Sequence, residues 1–172
     1  MLLTATNSII AEEGNPRCDV GGWNCPTTKL VSLYKKRLAV AKDCGAGKNY
    51  DCFEQGRINY LNGGKTSANW GMFGGSPYKM ILNNGMQLVI ADSTNNCSYH
   101  EWSDLGVLDL CRLFIVDVNG EKSPNTFGRD IFYFVLKEDG LYPGGYDIDN
   151  RCVGTSGRGC AAKVLRDGAM NY

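Results

Sequence analysis

Apolar residues recur at helical intervals in the first quarter of the chain and at every second position further on. From Leu2 to Glu13, the residues Leu2, Leu3, Ile9 and Ile10 return after seven positions, and Gly14-Asn15-Pro16 marks a stop, so a short helix is predicted there. A second helix follows, with Thr27 and Thr28 offering an N-cap and Leu30, Leu33, Tyr34, Leu38 and Ala41 forming one stripe. Lys35, Lys36, Arg37 and Lys42 lie on its outer face, and Gly45 stands where a left-handed C-terminal residue is wanted. Cations near a helix C-terminus are favoured by its dipole, so this basic face reads as solvated rather than as a binding surface.

Period two takes over at Tyr78. Tyr78, Met80 and Leu82 alternate toward Asn83-Asn84-Gly85, and Met86, Leu88 and Ile90 alternate away from it, the pattern of a tight antiparallel hairpin. Leu113 to Val118 is nearly continuous in apolar residues and reads as a central strand, and Asp130 to Leu136 returns the chain as another. Around Ala161 to Arg166 one helical turn is expected. With no helical pattern between the strands, parallel βαβ topology is excluded. The expected fold is α+β: an N-terminal helix on a roughly four-stranded antiparallel meander sheet with disulfide-stapled loops. One domain spans 1–172, with a helix remnant and stapled loop in 1–26, a main helix in 27–44, a connecting loop in 45–76, the sheet in 77–137 and a C-terminal disulfide loop region in 138–172.

Composition adds the compartment. Of 172 residues 43% are hydrophobic and 21% charged, ordinary for a folded domain. The 18 basic and 18 acidic residues cancel, which disfavours nucleic acid as the main partner. The 8 cysteines are Cys18, Cys25, Cys44, Cys52, Cys97, Cys111, Cys152 and Cys160. They fall into sequence-local couples around polar, Gly-rich loops, the arrangement of loop staples formed in an oxidising compartment. No C-x-x-C knuckle occurs, so zinc is disfavoured, while the connectivity stays open. Residues 1 to 17 hold neither a signal sequence nor a membrane span, so export implies a signal or anchor upstream of Met1.

No catalytic constellation is legible, and the chain is expected not to be an enzyme and to carry no cofactor. His100 is the 1 histidine, and a lone loop imidazole has no orienting triad around it. Gly64-Lys65-Thr66 resembles the end of a phosphate-binding loop, but Asn59 stands where that loop needs glycine. Asp117, Asn119 and Glu121, and again Asp147, Asp149 and Asn150, could offer oxygens to calcium; as turn residues they would instead accept backbone hydrogen bonds, the favoured reading. No metal site is therefore assigned. Trp23, Trp70 and Trp102 fall in loops, where they could form a sugar-binding surface or roof the core.

Three stretches carry a family resemblance. Leu33-Tyr34-Lys35-Lys36-Arg37-Leu38-Ala39-Val40-Ala41-Lys42-Asp43-Cys44 followed by Cys52-Phe53 resembles the helix behind the anchor of bacterial pilin-like proteins. Phe114-Ile115-Val116-Asp117-Val118-Asn119-Gly120-Glu121-Lys122-Ser123-Pro124-Asn125-Thr126-Phe127-Gly128-Arg129-Asp130-Ile131-Phe132 is similar to a hairpin motif of the same group, and the more specific of the three. Asp139-Gly140-Leu141-Tyr142-Pro143, Gly159-Cys160-Ala161-Ala162-Lys163-Val164 and the ending Met170-Asn171-Tyr172 look like its C-terminal region. The family is that of type IV pilins and type II secretion pseudopilins. Membership implies an apolar N-terminal helix, cleavage by a prepilin peptidase, and assembly into a filament with other subunits, the head facing outward. It also implies a variable exposed surface bounded by a disulfide, here Cys152 to Cys160. The processing site and the apolar helix themselves are absent from these 172 residues, so membrane contact would run only through that missing segment. A secreted carbohydrate- or surface-binding module of adhesin type is the alternative expectation.

Overall fold

In the central strands almost every residue is apolar, and the sheet they form is accordingly covered on both faces. The computed structural model describes residues 1–13, 27–47, 52–53, 57–66, 76–91, 110–137, 139–147, 152 and 156–172. In chain order they form α1 (Leu2–Glu13), α2 (Thr27–Lys35), β1 (Val40–Ala46), β2 (Tyr78–Leu82), β3 (Gln87–Ile90), β4 (Arg112–Asp117), β5 (Ile131–Leu136), β6 (Leu141–Pro143) and α3 (Ala161–Asp167). The six strands make one antiparallel sheet in the order β1-β2-β3-β4-β5-β6. The fold is thus α+β with a meander sheet, and it has six strands rather than the roughly four expected.

Both extra strands sit at the edges. The spacing that predicted a helix over 27–44 holds only to Lys35; Val40–Ala46 instead pairs along β2, from Val40 opposite Leu82 to Ala46 opposite Tyr78. Pairing with β2 overrides helix propensity here, and Gly45, at φ +73°, serves an irregular strand rather than a helix end. At the other edge Leu141–Pro143 pairs with β5, with Pro143 opposite Phe134.

Alternation along the strands divides the core. On one face Met80, Leu82, Leu88, Ile90, Phe114 and Val116 meet the buried stripes of α1 (Leu2, Ala5, Ile9) and α2 (Leu30, Leu33, Tyr34). On the other, Val89, Leu113, Ile115, Tyr133 and Val135 meet Phe53, Ile58 and Phe127 from irregular segments. At the end of the sheet Phe132 packs with Cys152, Cys160 and Ala161.

Tyr34 ties the two helices to the sheet. Its ring lies 4.9 Å from that of Phe114, and its hydroxyl is 2.6 Å from Thr6 Oγ1. Thr6 donates in turn to Leu2 O at 2.9 Å, which leaves Tyr34 as the donor of the shared bond. Near the ends of the same helices Arg37 bonds Glu12 Oε2 at 2.8 Å and Ser8 Oγ at 3.2 Å. Burial of the phenol, only partly offset by the bond to Thr6, pushes the Tyr34 pKa up to about 12.

A folded-state value above the unfolded one means that this stabilisation is complete below pH ~10 and is lost as the pH rises toward 12. Urea unfolding at pH 8 and at pH 11.5 should therefore show a loss of about 2 kcal/mol that Tyr34→Phe lacks. At pH 8 that variant should cost only about 1 kcal/mol, the worth of one hydrogen bond. An identical alkaline loss in both proteins would place the titrating group elsewhere.

Candidate functional site

Among the described residues, side-chain to backbone bonds concentrate in the connection between β4 and β5, residues 118–130. Asp117, fully buried at the end of β4, accepts from the backbone N–H groups of Asn119 at 3.1 Å and Gly120 at 3.0 Å. Gly120 is required: it has φ +67°, and a Cβ there would stand 2.6 Å from Gly85 O in the β2–β3 turn. The two hairpin tips are therefore in contact. Asp130 closes the loop from its other end, accepting from Asn125 N at 2.8 Å, Thr126 N at 2.5 Å and Asn119 Nδ2 at 3.3 Å. Asn125 takes a left-handed conformation, φ +51°, which asparagine tolerates better than most residues.

Neighbouring segments dock onto this loop through their backbones. Asn59 donates from its N–H to Asn125 O at 2.8 Å and from Nδ2 to Pro124 O at 3.0 Å, and accepts from Phe127 N at 3.0 Å. Beside it, Leu61 N ties the Asn59 segment to Ser156 O at 3.1 Å, and Gly144 N bonds Tyr133 O of β5 at 2.8 Å. Gly128 lies so close to the C-terminal segment that a Cβ would be 2.8 Å from Cys160 Sγ; the Tyr172 hydroxyl donates to Gly128 O. Around Phe127 the rings of Tyr133 and Tyr60 lie 5.2 and 6.1 Å away, with the Arg158 guanidinium 5.3 Å from Tyr60 and 5.4 Å from Phe127.

Disulfides join Cys44 to Cys52 and Cys152 to Cys160, in each case the nearest-neighbour couple. Cys111 is also disulfide-bonded, and Cys18, Cys25 and Cys97 lie outside the described residues. Disulfides persist in oxidising surroundings, so these bonds weakly favour an extracytoplasmic location.

The sheet edges carry polar groups of their own. At β1, Asp43 accepts from Lys35 Nζ and from the Tyr78 hydroxyl at 2.5 Å, and these two bonds, the lysine's first, hold its carboxyl below the usual range. At β6, Tyr142 and Tyr146 have centroids 4.7 Å apart, with Lys137 Nζ bonded to Tyr146 Oη at 3.0 Å and Tyr142 bonded to Asp139 at 2.9 Å.

The residues singled out for chemistry do not converge. Asp117 ends β4 and accepts backbone N–H groups, Asn119 donates to Asp130, and Glu121 and Asp147 are exposed. Gly64-Lys65-Thr66 runs back antiparallel to 58–60 after a turn at 61–63, with Gly64 N bonded to Asn62 Oδ1, Lys65 bridged to Asn59 and Thr66 Oγ1 donating to Ile58 O. His100, Trp23, Trp70, Trp102, Asp149 and Asn150 lie outside the described residues. Among the described residues no group of three or more His, Cys, Asp or Glu is gathered so as to hold a metal ion, and no helix is long and apolar enough to cross a membrane.

No protein-family model, curated protein or solved structure matches the chain. The site is therefore read from its own geometry. What it supplies is a surface of irregular backbone locked onto the sheet by two buried aspartates and by disulfides.

Asp130→Ala should cost about 3 kcal/mol in urea unfolding, since two buried backbone N–H groups lose their acceptor. The double change Cys152→Ser with Cys160→Ser opens a loop of sequence separation 8 and should cost about 2.5 kcal/mol. Hydrogen exchange in the disulfide variant should quicken at 156–160 and 127–128 while the β3–β4 ladder stays protected; uniform quickening would show that the staple supports the whole fold instead.

Proposed function

We propose that this chain is the globular head of a filament subunit of the type IV pilin or type II secretion pseudopilin kind. It works by contact with other subunits on the cell surface, in the periplasm or in a secreted fibre, and performs no catalysis. One observation carries the reading. The hairpin 114–132, the stretch with the most specific resemblance to that family, takes backbone bonds from Asn59 of loop 57–66 and packs Phe132 against Cys152 and Cys160, on a meander sheet backed by an N-terminal helix.

Physical requirements agree with this assignment. A subunit outside the cell has no chaperones to refold it, so irregular contact surfaces benefit from covalent closure of their loops. Lateral contact between copies calls for broad rigid surfaces. Loops whose backbone groups are bonded to one another and to buried carboxylates lose little further entropy on association.

The test uses cells that make the protein natively. The chain should be recovered in sheared surface fibres or a secretion pseudopilus with its cysteines oxidised, and inactivating the prepilin peptidase should abolish that recovery. The coding sequence upstream of residue 1 should encode an apolar stretch of about 20 residues behind a short basic leader. Recovery as a cytosolic protein with free thiols would overturn the proposal. A freely secreted monomer released by a signal peptidase would favour the carbohydrate- or surface-binding alternative.

A further inference from the structure

Lys79 stands in β2 beside an edge strand that is largely exposed, yet it is itself only 1% exposed. It pairs with Val89 of β3 and lies two positions from Ile81, so it shares the second face of the sheet with both. Gly45, opposite it on β1, has no side chain to lay over it. Phe53 does cover it, with the ring centroid 5.9 Å from Lys79 Nζ. Phe53 is buried next to Cys52 in the cluster that contains Val89, and Cys44 and Ile81 pack at its margin.

A cross-link brings Phe53 to this position. The pairing of β1 with β2 slips between Asp43 and Gly45, and Cys44 is the extra residue in the slip. An irregularity of this kind re-aims a side chain, and Cys44 accordingly meets the second-face cluster and bonds Cys52. The disulfide thus fastens the neighbour of Phe53 to the neighbour of Gly45, which is the strand partner of Lys79. It also differs in access from the Cys152–Cys160 bond. Cys152 and Cys160 are both fully buried, whereas Cys44 is half-buried on the edge strand. Exchange requires an attacking thiolate to reach a sulfur, so of these two bonds Cys44–Cys52 is the one open to it.

The geometry points to a redox-sensitive latch: the Cys44–Cys52 bond holds Phe53 over Lys79, and reduction of that bond by a dithiol uncovers the amine. One thiolate of the reductant attacks Cys44 Sγ and Cys52 leaves as thiolate; the second thiolate of the reductant then displaces Cys44. The reductant ends as a disulfide, its two electrons and two protons having passed to the cysteines, which end as thiols. Burial lowers the Lys79 pKa while the latch is closed, and contact with water would restore it. The latch does not depend on the assembly role proposed above.

Acetylation of the folded 172-residue chain by an N-hydroxysuccinimide ester, read lysine by lysine in the mass spectra of its peptides, gives the test. In the oxidised protein Lys79 should react roughly tenfold more slowly than the exposed Lys42. Mild treatment with dithiothreitol should open Cys44–Cys52 before Cys152–Cys160 and raise the Lys79 rate roughly tenfold, with hydrogen exchange in the β3–β4 ladder unchanged. Phe53→Ala should uncover Lys79 with the bond intact; if that variant does not fold, the reduction series on the unaltered protein decides. Lys79 reacting as fast as Lys42 before reduction would overturn the inference. So would protection of Lys79 that outlasts the opening of Cys44–Cys52, earlier opening of Cys152–Cys160, or exchange that quickens through the whole sheet on reduction.

Discussion

A sheet that is apolar on both sides has two surfaces to hide, and this requirement organises the molecule. Phe114 and Val116 point one way from β4, Leu113 and Ile115 the other, and all are buried. Helices α1 and α2 cover the first face with regular stripes whose backbone bonds are internal. The second face has a cover of irregular chain, in which each buried N–H and C=O needs a partner from outside regular structure. Asp117, Asp130 and Asn59 meet that need in the described residues.

The same demand explains where the cross-links fall. Covalent closure acts mainly on the unfolded chain, and its benefit is greatest where few ladder bonds hold a segment in place. Cys52 lies beside Phe53 in the cover of the second face, and Cys160 beneath Gly128. The Cys44–Cys52 bond thus ties this irregular layer to the edge strand, and the Cys152–Cys160 bond packs against Phe132 at the start of α3. Rigidity in this part of the protein comes from loop closure and buried carboxylates together, and the contact role proposed for the chain draws on both.

Much of the architecture was legible because period two and period 3.6 are written directly in apolar spacing. The β2–β3 hairpin, the central strands, α1 and the short helix α3 all follow from it. The edges were not. In β1 the pairing slips between Val40 and Lys42 and again between Asp43 and Gly45, so the alternation that would have announced a strand is broken, while Leu38 and Ala41 happened to continue the helical stripe of α2. In β6 only three residues pair, and Pro143 among them reads as a turn. Most of the pinned loop was hidden for another reason. Asp130 is one acidic residue among 18, and nothing in its spacing shows that two backbone N–H groups converge on it. The family-like motif pointed to the stretch, but only the fold reveals what each residue in it does.

The two borders of the sheet have a consequence for crowding. One border ends in a proline, which has no N–H to offer a newcomer, and the other is kinked twice and decorated with charge at Lys42 and Asp43. Neighbouring molecules held at very high local density would thus find no straight ribbon to extend. They can touch flank to flank as finished solids while their backbones stay separate, and dense packing need not become fusion into a continuous cross-β ribbon.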